Sequence, residues 1–181
     1  MKQALILVDI QNDYFAGGTM ELSGMDAAAT NCAKLLDSFR NRKASIFHIQ
    51  HLASSEAATF FIPNTFGCEI REPVKPEGDE TLIVKHFPSA FRDTELNELL
   101  TKSGIEEVTI CGAMTHMCID TTTRAAFDLG YQCQVVSDAC ATRELEFNGH
   151  WVKAAEVQVA FMAALSSPFA RVSSTDEYLG A

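Results

Sequence analysis

The sequence is poor in positive charge, and this excludes one large class of partner. Lys and Arg total 14 against 24 Asp and Glu, for a formal net charge of −10. Binding to a nucleic acid backbone depends on cations that displace counterions from the phosphates. We therefore expect no nucleic acid partner.

Long hydrophobic runs are also missing. The apolar stretch near the N-terminus covers only residues 4–8 before Asp9 follows. That is too short for the core of a signal peptide or for a membrane span. The sequence thus predicts a protein that does not enter the membrane, with the cytoplasm as its compartment.

Closely spaced cysteine pairs are a third absence. None of the six cysteines forms a Cys-x-x-Cys pair. Scattered thiols of this kind are typical of a reducing compartment rather than of a disulfide framework or a zinc ribbon. A cysteine that performs chemistry must therefore be recognised from its surroundings.

The remaining pattern predicts one α/β domain over residues 1–181. With 47% hydrophobic and 21% charged residues, the 181-residue chain has the composition and length of one globular domain. Short apolar runs with β-branched residues predict buried strands at 4–8, 45–49, 81–84, 108–111, 134–136 and 169–172. Segments with helical spacing lie between most of them, including one from Trp151 to Leu165, and Gly104 and Gly130 are placed as helix stops. This alternation predicts a doubly wound, mostly parallel sheet of about six strands with helices on both faces.

Residues 53–80 interrupt the alternation with a long loop. The segment contains three prolines and two glycines together with Phe60, Phe61 and Phe66. Loops of this length inside a compact domain are usually functional or mobile. Two roles stay open for these aromatic residues: a lid over a pocket, or packing at a sheet edge or an interface.

Polar residues directly after the predicted strands are the candidates for chemistry, because ligands bind outside the carboxyl ends of parallel strands. Asp9, Lys85 and Cys118 form a coherent set: a carboxylate, a natural counter-charge, and a thiol where a helix begins. Each could instead be structural, as a turn residue, a surface lysine and an inert core thiol. Their joint placement favours function. Other residues follow strands as well: His48, His51, His86 and Asp138, of which Asp138 lacks a recognisable partner.

Three segments resemble the isochorismatase-like cysteine hydrolases, the family that includes nicotinamidase-related amidohydrolases. Residues 9–15 read DIQNDYF, residues 85–91 read KHFPSAF, and residues 112–131 read GAMTHMCIDTTTRAAFDLGY. The similarity extends over essentially the whole chain, and the third segment is its most specific part. The resemblance implies a three-layer Rossmann-like fold, homo-oligomeric assembly, and cleavage of an amide or related C–N bond through a covalent thioester.

The resemblance also implies the roles of individual residues. Asp9, Lys85 and Cys118 correspond to the catalytic triad, with Cys118 as nucleophile and Asp9 as proton carrier. The backbone N–H groups of Met114 and Cys118 correspond to the oxyanion hole, beside a cis peptide between Ala113 and Met114. We expect Lys85 to keep the Cys118 thiol ionised.

The family's metal motif is incomplete in this chain. Nicotinamide-cleaving members carry an Asp-x-His pair after the second strand, where this chain reads His48-Ile49-Gln50-His51. No Asp precedes either histidine by two residues, so we expect no metal and no other cofactor. Shared metal binding by His48 and His51 stays open as the alternative, with His86 and His116 as further nitrogen donors.

Further residues are assigned to the surroundings of the site. We expect Gln11 and Asp13 to shape the first loop through bonds to the backbone, and Thr115 to cap the following helix. Side chains that could line the pocket are Gln11, Phe15, His51, Phe91 and His116. The partner is a small-molecule substrate that the sequence does not identify. Two alternatives to a hydrolase stay open: thiol chemistry at Cys118, and a binding or scaffold protein of the same fold.

Overall fold

The computed structural model describes residues 1–180, and its centre is a parallel sheet of six strands in the order β3-β2-β1-β4-β5-β8. The strands of the sheet are β1 (Gln3–Val8), β2 (Ser45–His51), β3 (Thr81–Lys85), β4 (Glu107–Ala113), β5 (Gln132–Ala141) and β8 (Arg171–Ser173). Every neighbouring pair is parallel. The predicted doubly wound sheet is confirmed, and the chain reverses its winding direction between β1 and β4.

Helices cover both faces of the sheet. They are α1 (Met25–Asn41), α2 (Leu96–Lys102), α3 (Asp120–Asp128), α4 (Ala154–Leu165) and α5 (Thr175–Leu179). One apolar core lies on the side of α1 and α5, and a second core lies on the side of α2, α3 and α4. The predicted three-layer arrangement follows from these two cores.

The alternation of side chains along β1 builds both cores at once. Leu5 and Leu7 pack toward α1, whereas Ala4, Ile6 and Val8 pack on the opposite side. All five are buried, because successive side chains of a strand point to opposite faces and both faces are covered by helices. From Ala4 to Val8 the strand has no polar residue, and Asp9 is the first residue after it.

Two sequence expectations are wrong at the periphery. The predicted strand 81–84 is not buried on both faces: β3 is an edge strand, and Leu82 and Val84 are 45% and 39% exposed. The predicted helix from Trp151 starts only at Ala154, because Trp151 and Val152 belong to a hairpin of β6 (Leu145–Phe147) and β7 (His150–Val152). The apolar residues of the hairpin give the same local spacing as a helix face.

Across residues 1–180, no helix combines the length and the apolar character that crossing a membrane would require.

Candidate active site

The carboxyl edge of the sheet gathers the three residues that the sequence singled out. Asp9 follows β1 in a left-handed backbone conformation with φ of 52°, which Asp adopts more readily than most residues. Its backbone N–H donates a hydrogen bond to Ile49 O of β2 at 3.0 Å. The side chain is fully buried, and its Oδ1 accepts no hydrogen bond from any of the residues 1–180.

Cys118 reaches the same point from the end of β4. Gly112, with φ of 120°, lies so close to β1 that a Cβ there would overlap the carbonyl of Val8. The peptide bond between Ala113 and Met114 is cis. A π-helical turn over Thr115–Ile119 then presents Cys118, directly before α3, and its side chain is almost fully buried.

Lys85 extends from the edge strand across β2 to the centre of the site. Its Nζ lies 2.7 Å from Asp9 Oδ2 and 3.2 Å from Cys118 Sγ, and it also donates to Phe87 O at 3.1 Å. Burial alone would lower the pKa of Lys85, but Asp9 and Cys118 outweigh it and raise the pKa. Lys85 is therefore a buried cation, and its head group is surrounded by acceptors.

The structure corrects the expected ionisation of Cys118. Burial raises the pKa of the thiol, the Asp9 carboxylate raises it further, and Lys85 lowers it by less. The cysteine therefore rests as a thiol rather than as the expected thiolate. Its proton has an acceptor nearby, because oxygen, nitrogen and sulfur atoms of Asp9, His51 and Cys118 lie within 4.8 Å of one another.

His51 completes this cluster from the end of β2. Its Nδ1 lies 2.8 Å from Lys85 Nζ and 4.0 Å from Asp9 Oδ2. Burial, together with the Lys85 cation, lowers the pKa of His51 to about 4. The imidazole is thus neutral at physiological pH.

Gln11 and Asp13 hold the surroundings of the site in place, as expected for residues that bond to the backbone. Gln11 Nε2 donates to His51 O at 2.9 Å and to Cys68 O at 2.8 Å, and its Oε1 accepts from His51 N at 2.8 Å. The Asp13 carboxylate accepts from Phe61 N at 2.7 Å. It also packs so tightly against Gly67 that a Cβ there would overlap it.

Tyr14 and Phe61 adjoin the site, and sequence reasoning gave Tyr14 no role. Tyr14 is buried, and its ring centroid lies 4.6 Å from that of Phe61. Burial raises the pKa of Tyr14, with further contributions from Cys118 and Asp9, so its hydroxyl stays protonated near these two residues. Its place in the DIQNDYF segment, directly after the first strand, is the feature of the sequence that could have indicated a position near the site.

The long loop is anchored over this edge. Phe61 is buried, and its ring centroid lies 5.8 Å from that of His51 and 5.0 Å from that of Phe60, which is half-buried. Phe66 is instead 69% exposed. Phe60 and Phe61 are thus placed as a cover, and Phe66 is not part of it.

Three further expected site residues lie in different places. Phe15 is buried in the core beside α1. Phe91 stacks on Tyr131, with the ring centroids 6.3 Å apart. His116 bonds through Nδ1 to Thr142 Oγ1 at 2.6 Å.

The structure does not support two further expectations, that Thr115 caps a helix and that His48 and His51 bind one metal ion together. Thr115 does not cap a helix, since its hydroxyl bonds to Gln158 Oε1 of α4 at 2.6 Å. His48 and His51 do not face one site: they are three residues apart on one strand and point to opposite sides. His48 Nε2 bonds to Glu80 Oε2 at 2.8 Å, whereas His51 meets Lys85, so the two histidines do not share an ion.

Asp9, His51 and Cys118 offer oxygen, nitrogen and sulfur atoms at the spacing of a metal site. The Lys85 ammonium, however, contacts all three, at 2.7, 2.8 and 3.2 Å. A divalent ion held by the same atoms would need this position and would be repelled by the lysine charge. The donor set thus fits the lysine cation better than a metal.

Comparison with known proteins shows the family of the chain. The sequence profile of the isochorismatase domain matches residues 3–177. The chain is 50% identical over 179 residues to the uncharacterized isochorismatase family protein YddQ of Bacillus subtilis (strain 168), covering 99% of each chain. Its structure is similar to that of an isochorismatase hydrolase homologue from Oleispira antarctica, with a TM-score of 0.95 and 47% identity over 99% of this chain and 97% of the other.

More distant relatives have named activities. Nicotinamidase 3 of Arabidopsis thaliana is 28% identical over 170 residues, which are 87% of this chain and 80% of that protein. A streptothricin hydrolase of Streptomyces noursei is 32% identical over 143 residues, which are 79% of this chain and 56% of that protein. With its domain match and its full-length relatives, the chain belongs to the isochorismatase family of hydrolases.

Proposed function

We propose that this hydrolase cleaves an amide or related C–N bond of a small molecule through a thioester on Cys118. The observation that carries the proposal is the buried contact of Lys85 Nζ with both Asp9 Oδ2 and Cys118 Sγ, at 2.7 and 3.2 Å. A nucleophile, a proton acceptor and a cation in one dry site are the groups that such a reaction needs. Relatives named nicotinamidase and streptothricin hydrolase support this class of substrate.

In the first half-reaction, Cys118 Sγ attacks the carbonyl carbon while its proton moves to Asp9. Because the cysteine rests as a thiol, this transfer accompanies the attack rather than preceding it. Asp9 Oδ1 accepts no hydrogen bond within residues 1–180 and is free to receive the proton. The N–H groups of Met114 and Cys118 stabilise the oxyanion, a role taken from the family resemblance.

The intermediate then collapses as the C–N bond breaks. Asp9 returns the proton to the departing nitrogen, which leaves as an amine, and Cys118 carries the acyl group as a thioester. In the second half-reaction Asp9 takes a proton from water, whose oxygen attacks the thioester carbonyl. The acid leaves and the proton returns to Cys118, so one carboxylate serves both steps while Lys85 balances its charge.

Thiol redox chemistry is the weaker alternative. Cys111, the nearest cysteine in sequence, packs in the core beside α1, whereas Cys118 belongs to the core on the opposite side of the sheet. All six cysteines are free. Cys111 is thus poorly placed to resolve an oxidised Cys118.

The test is an activity screen of wild-type protein and Cys118→Ala against a panel of amides, carbamates and ureides, each assayed for released amine or ammonia. We expect at least one compound to be hydrolysed by the wild type only, and the activity to survive exhaustive EDTA treatment. Hydrolysis by Cys118→Ala at the wild-type rate would contradict the proposed nucleophile. Activity that EDTA removes and added zinc or manganese restores would contradict the metal-free mechanism.

A further inference from the structure

His51 has one ring nitrogen engaged inside the site and one left free. Nδ1 lies 2.8 Å from Lys85 Nζ. Nε2 has no hydrogen-bond partner among residues 1–180, and it is not one of the enclosed polar atoms, so it is accessible to solvent. The imidazole is 20% exposed, whereas the Asp9 and Lys85 side chains are fully enclosed.

The contact with Lys85 fixes the tautomer of His51. An ammonium group can donate hydrogen bonds but cannot accept them. Nδ1 must therefore be the unprotonated nitrogen, and in a neutral imidazole the proton then resides on Nε2. The accessible nitrogen of His51 is thus a hydrogen-bond donor.

The ring is also held in a fixed position. Gln11 bonds to both the N–H and the C=O of His51, at 2.8 and 2.9 Å, and so fixes the backbone of the residue from two sides. Lys85 fixes one edge of the ring, and the Phe61 ring lies 5.8 Å away. A donor held in this way binds an acceptor with little loss of side-chain entropy.

We propose that His51 Nε2–H binds an oxygen of the substrate other than the one on the carbonyl under attack. The inference rests on the proposed function, in which the attacked carbonyl oxygen goes to the N–H groups of Met114 and Cys118. It selects a class of substrate: small amides, ureides or carbamoyl compounds with a second carbonyl or carboxylate oxygen next to the reacting carbon. His51 thereby contributes to specificity, while Asp9 and Cys118 perform the bond changes.

Two alkylating reagents of equal length test this role without a known substrate. Iodoacetamide and allyl iodide both react with Cys118 at a CH₂ carbon that takes the place of the acyl carbon. Only iodoacetamide has an oxygen on the next carbon, where the substrate's second oxygen would lie. Rates of Cys118 labelling are measured by peptide mass spectrometry at one pH for both reagents.

Two substitutions distinguish the role of Nε2 as a donor from the role of Nδ1 as an acceptor. Gln at position 51 extends an N–H donor to about the position of Nε2, whereas Asn retains an acceptor for Lys85 near Nδ1 and lacks the distal donor. We expect His51→Asn to slow labelling by iodoacetamide about tenfold relative to allyl iodide, the loss of about 1.4 kcal/mol of binding. His51→Gln should stay within about threefold of the wild-type ratio.

Several outcomes would overturn the proposal. Equal slowing of both reagents would make His51 a purely structural residue, and recovery by Asn but not by Gln would reduce it to an acceptor for Lys85. Hydrolysis of the screened amides by Cys118→Ala at the wild-type rate would instead remove the proposed function, and this inference with it.

A measurement on the wild-type protein covers the case of variants that do not fold. Nitrogen NMR of labelled histidine should show the His51 proton on Nε2, and added acetamide should shift that resonance. A proton found on Nδ1, or no shift with acetamide, would contradict the proposed donor.

Discussion

At the scale of single residues, the Lys85 ammonium is the group that contacts most of the other side chains of the site. Its ammonium contacts Asp9, His51 and Cys118 while it lies out of contact with water. A buried cation is tolerable only when anions and dipoles surround it, and an unpaired Asp9 would be equally costly. The ion pair therefore supports both stability and the charge balance of the reaction.

Replacement of Lys85 should change the titration of the thiol. Lys85 lowers the pKa of Cys118 against the larger effects of burial and Asp9, so Lys85→Met should raise that pKa still further. We expect alkylation of Cys118 to shift to higher pH and turnover to fall at least about a hundredfold. Lys102→Met, at an exposed position in α2, is the matched control. Coincident pH profiles for Lys85→Met and wild type would place Lys85 outside the triad.

At the scale of elements, the loop over residues 53–80 depends on two carboxylates. Asp13 accepts hydrogen bonds from Phe61 N and Thr19 N near the site. At the other end, Glu80 forms a two-point contact with Arg40 of α1, at 2.6 and 2.9 Å, and bonds to His48 at 2.8 Å. These contacts hold an otherwise irregular segment against the sheet.

Loss of the Asp13 anchor should release the loop. Asp13→Ala leaves the buried Phe61 N–H without its acceptor, which costs about 1–3 kcal/mol. We expect faster proteolysis within residues 53–66 and lower activity, with the rest of the fold retained. Asp93→Ala, at a largely exposed aspartate, serves as control. Equal proteolysis in the two variants would show that Asp13 does not hold the loop.

Glu80 should contribute to the acid sensitivity of the protein. Burial works to raise the pKa of Glu80, but hydrogen bonds from Arg40, Glu77 N and His48 overcome it and lower the pKa to about 2. Since the pKa of Glu80 in the folded protein is depressed below its ordinary value of 4.5, the stabilisation is present above that pH and is lost as pH falls toward about 2.

Chemical denaturation across this range provides the test. Glu80→Gln should unfold more easily than wild type at pH 7, by about 2 kcal/mol, and the difference should shrink as the pH falls below about 4.5. A difference that stays constant down to pH 2 would show that ionisation of Glu80 is not the cause.

The features that could be predicted from the sequence are those that a short stretch of sequence reveals by its pattern of apolar and polar residues. The central strands were predictable because both faces are apolar, and Asp9, Lys85 and Cys118 because polar residues at strand ends stand out. The hairpin was missed, although Asn148 and Gly149, both at positive φ, are a typical hairpin turn pair.

The remaining site features depend on contacts that are distant in sequence. Asp13 meets Phe61 across 48 positions, and Gln11 meets His51 across 40. The protonation of Cys118 was mispredicted for a related reason. A strand-end lysine is visible in the sequence, but the depth of burial, which here outweighs it, is not.

At the scale of the whole molecule, exposed apolar residues include three on the hairpin and one on α4. Phe147, Trp151 and Val159 are 75%, 65% and 70% exposed. Of the aromatic residues in the long loop that could be covered by another subunit, Phe61 is already buried, whereas Phe66 is 69% exposed. Copies with a net charge of −10 repel one another, so association requires enough apolar contact area to outweigh that repulsion. The apolar surface of the hairpin and Val159 is the candidate.

We predict homo-oligomers that associate through this surface. Light scattering at micromolar concentration should give a mass well above the 19.8 kDa of one chain. Trp151→Asp should lower it, because a buried carboxylate at an apolar contact is costly. Leu82→Asp, at an exposed apolar position on the opposite edge of the sheet, is the control. A wild-type monomer, or an unchanged mass for Trp151→Asp, would contradict this interface.

The central claim is that Cys118 carries the acyl group during turnover, and trapping of the intermediate tests it most directly. Wild-type protein is mixed with a hydrolysed amide, quenched in acid within one turnover, and analysed by intact and peptide mass spectrometry. The account predicts an added acyl mass on the peptide that contains Cys118, removed by hydroxylamine and absent in Cys118→Ala. Turnover without any such adduct, together with activity in Cys118→Ala, would contradict it.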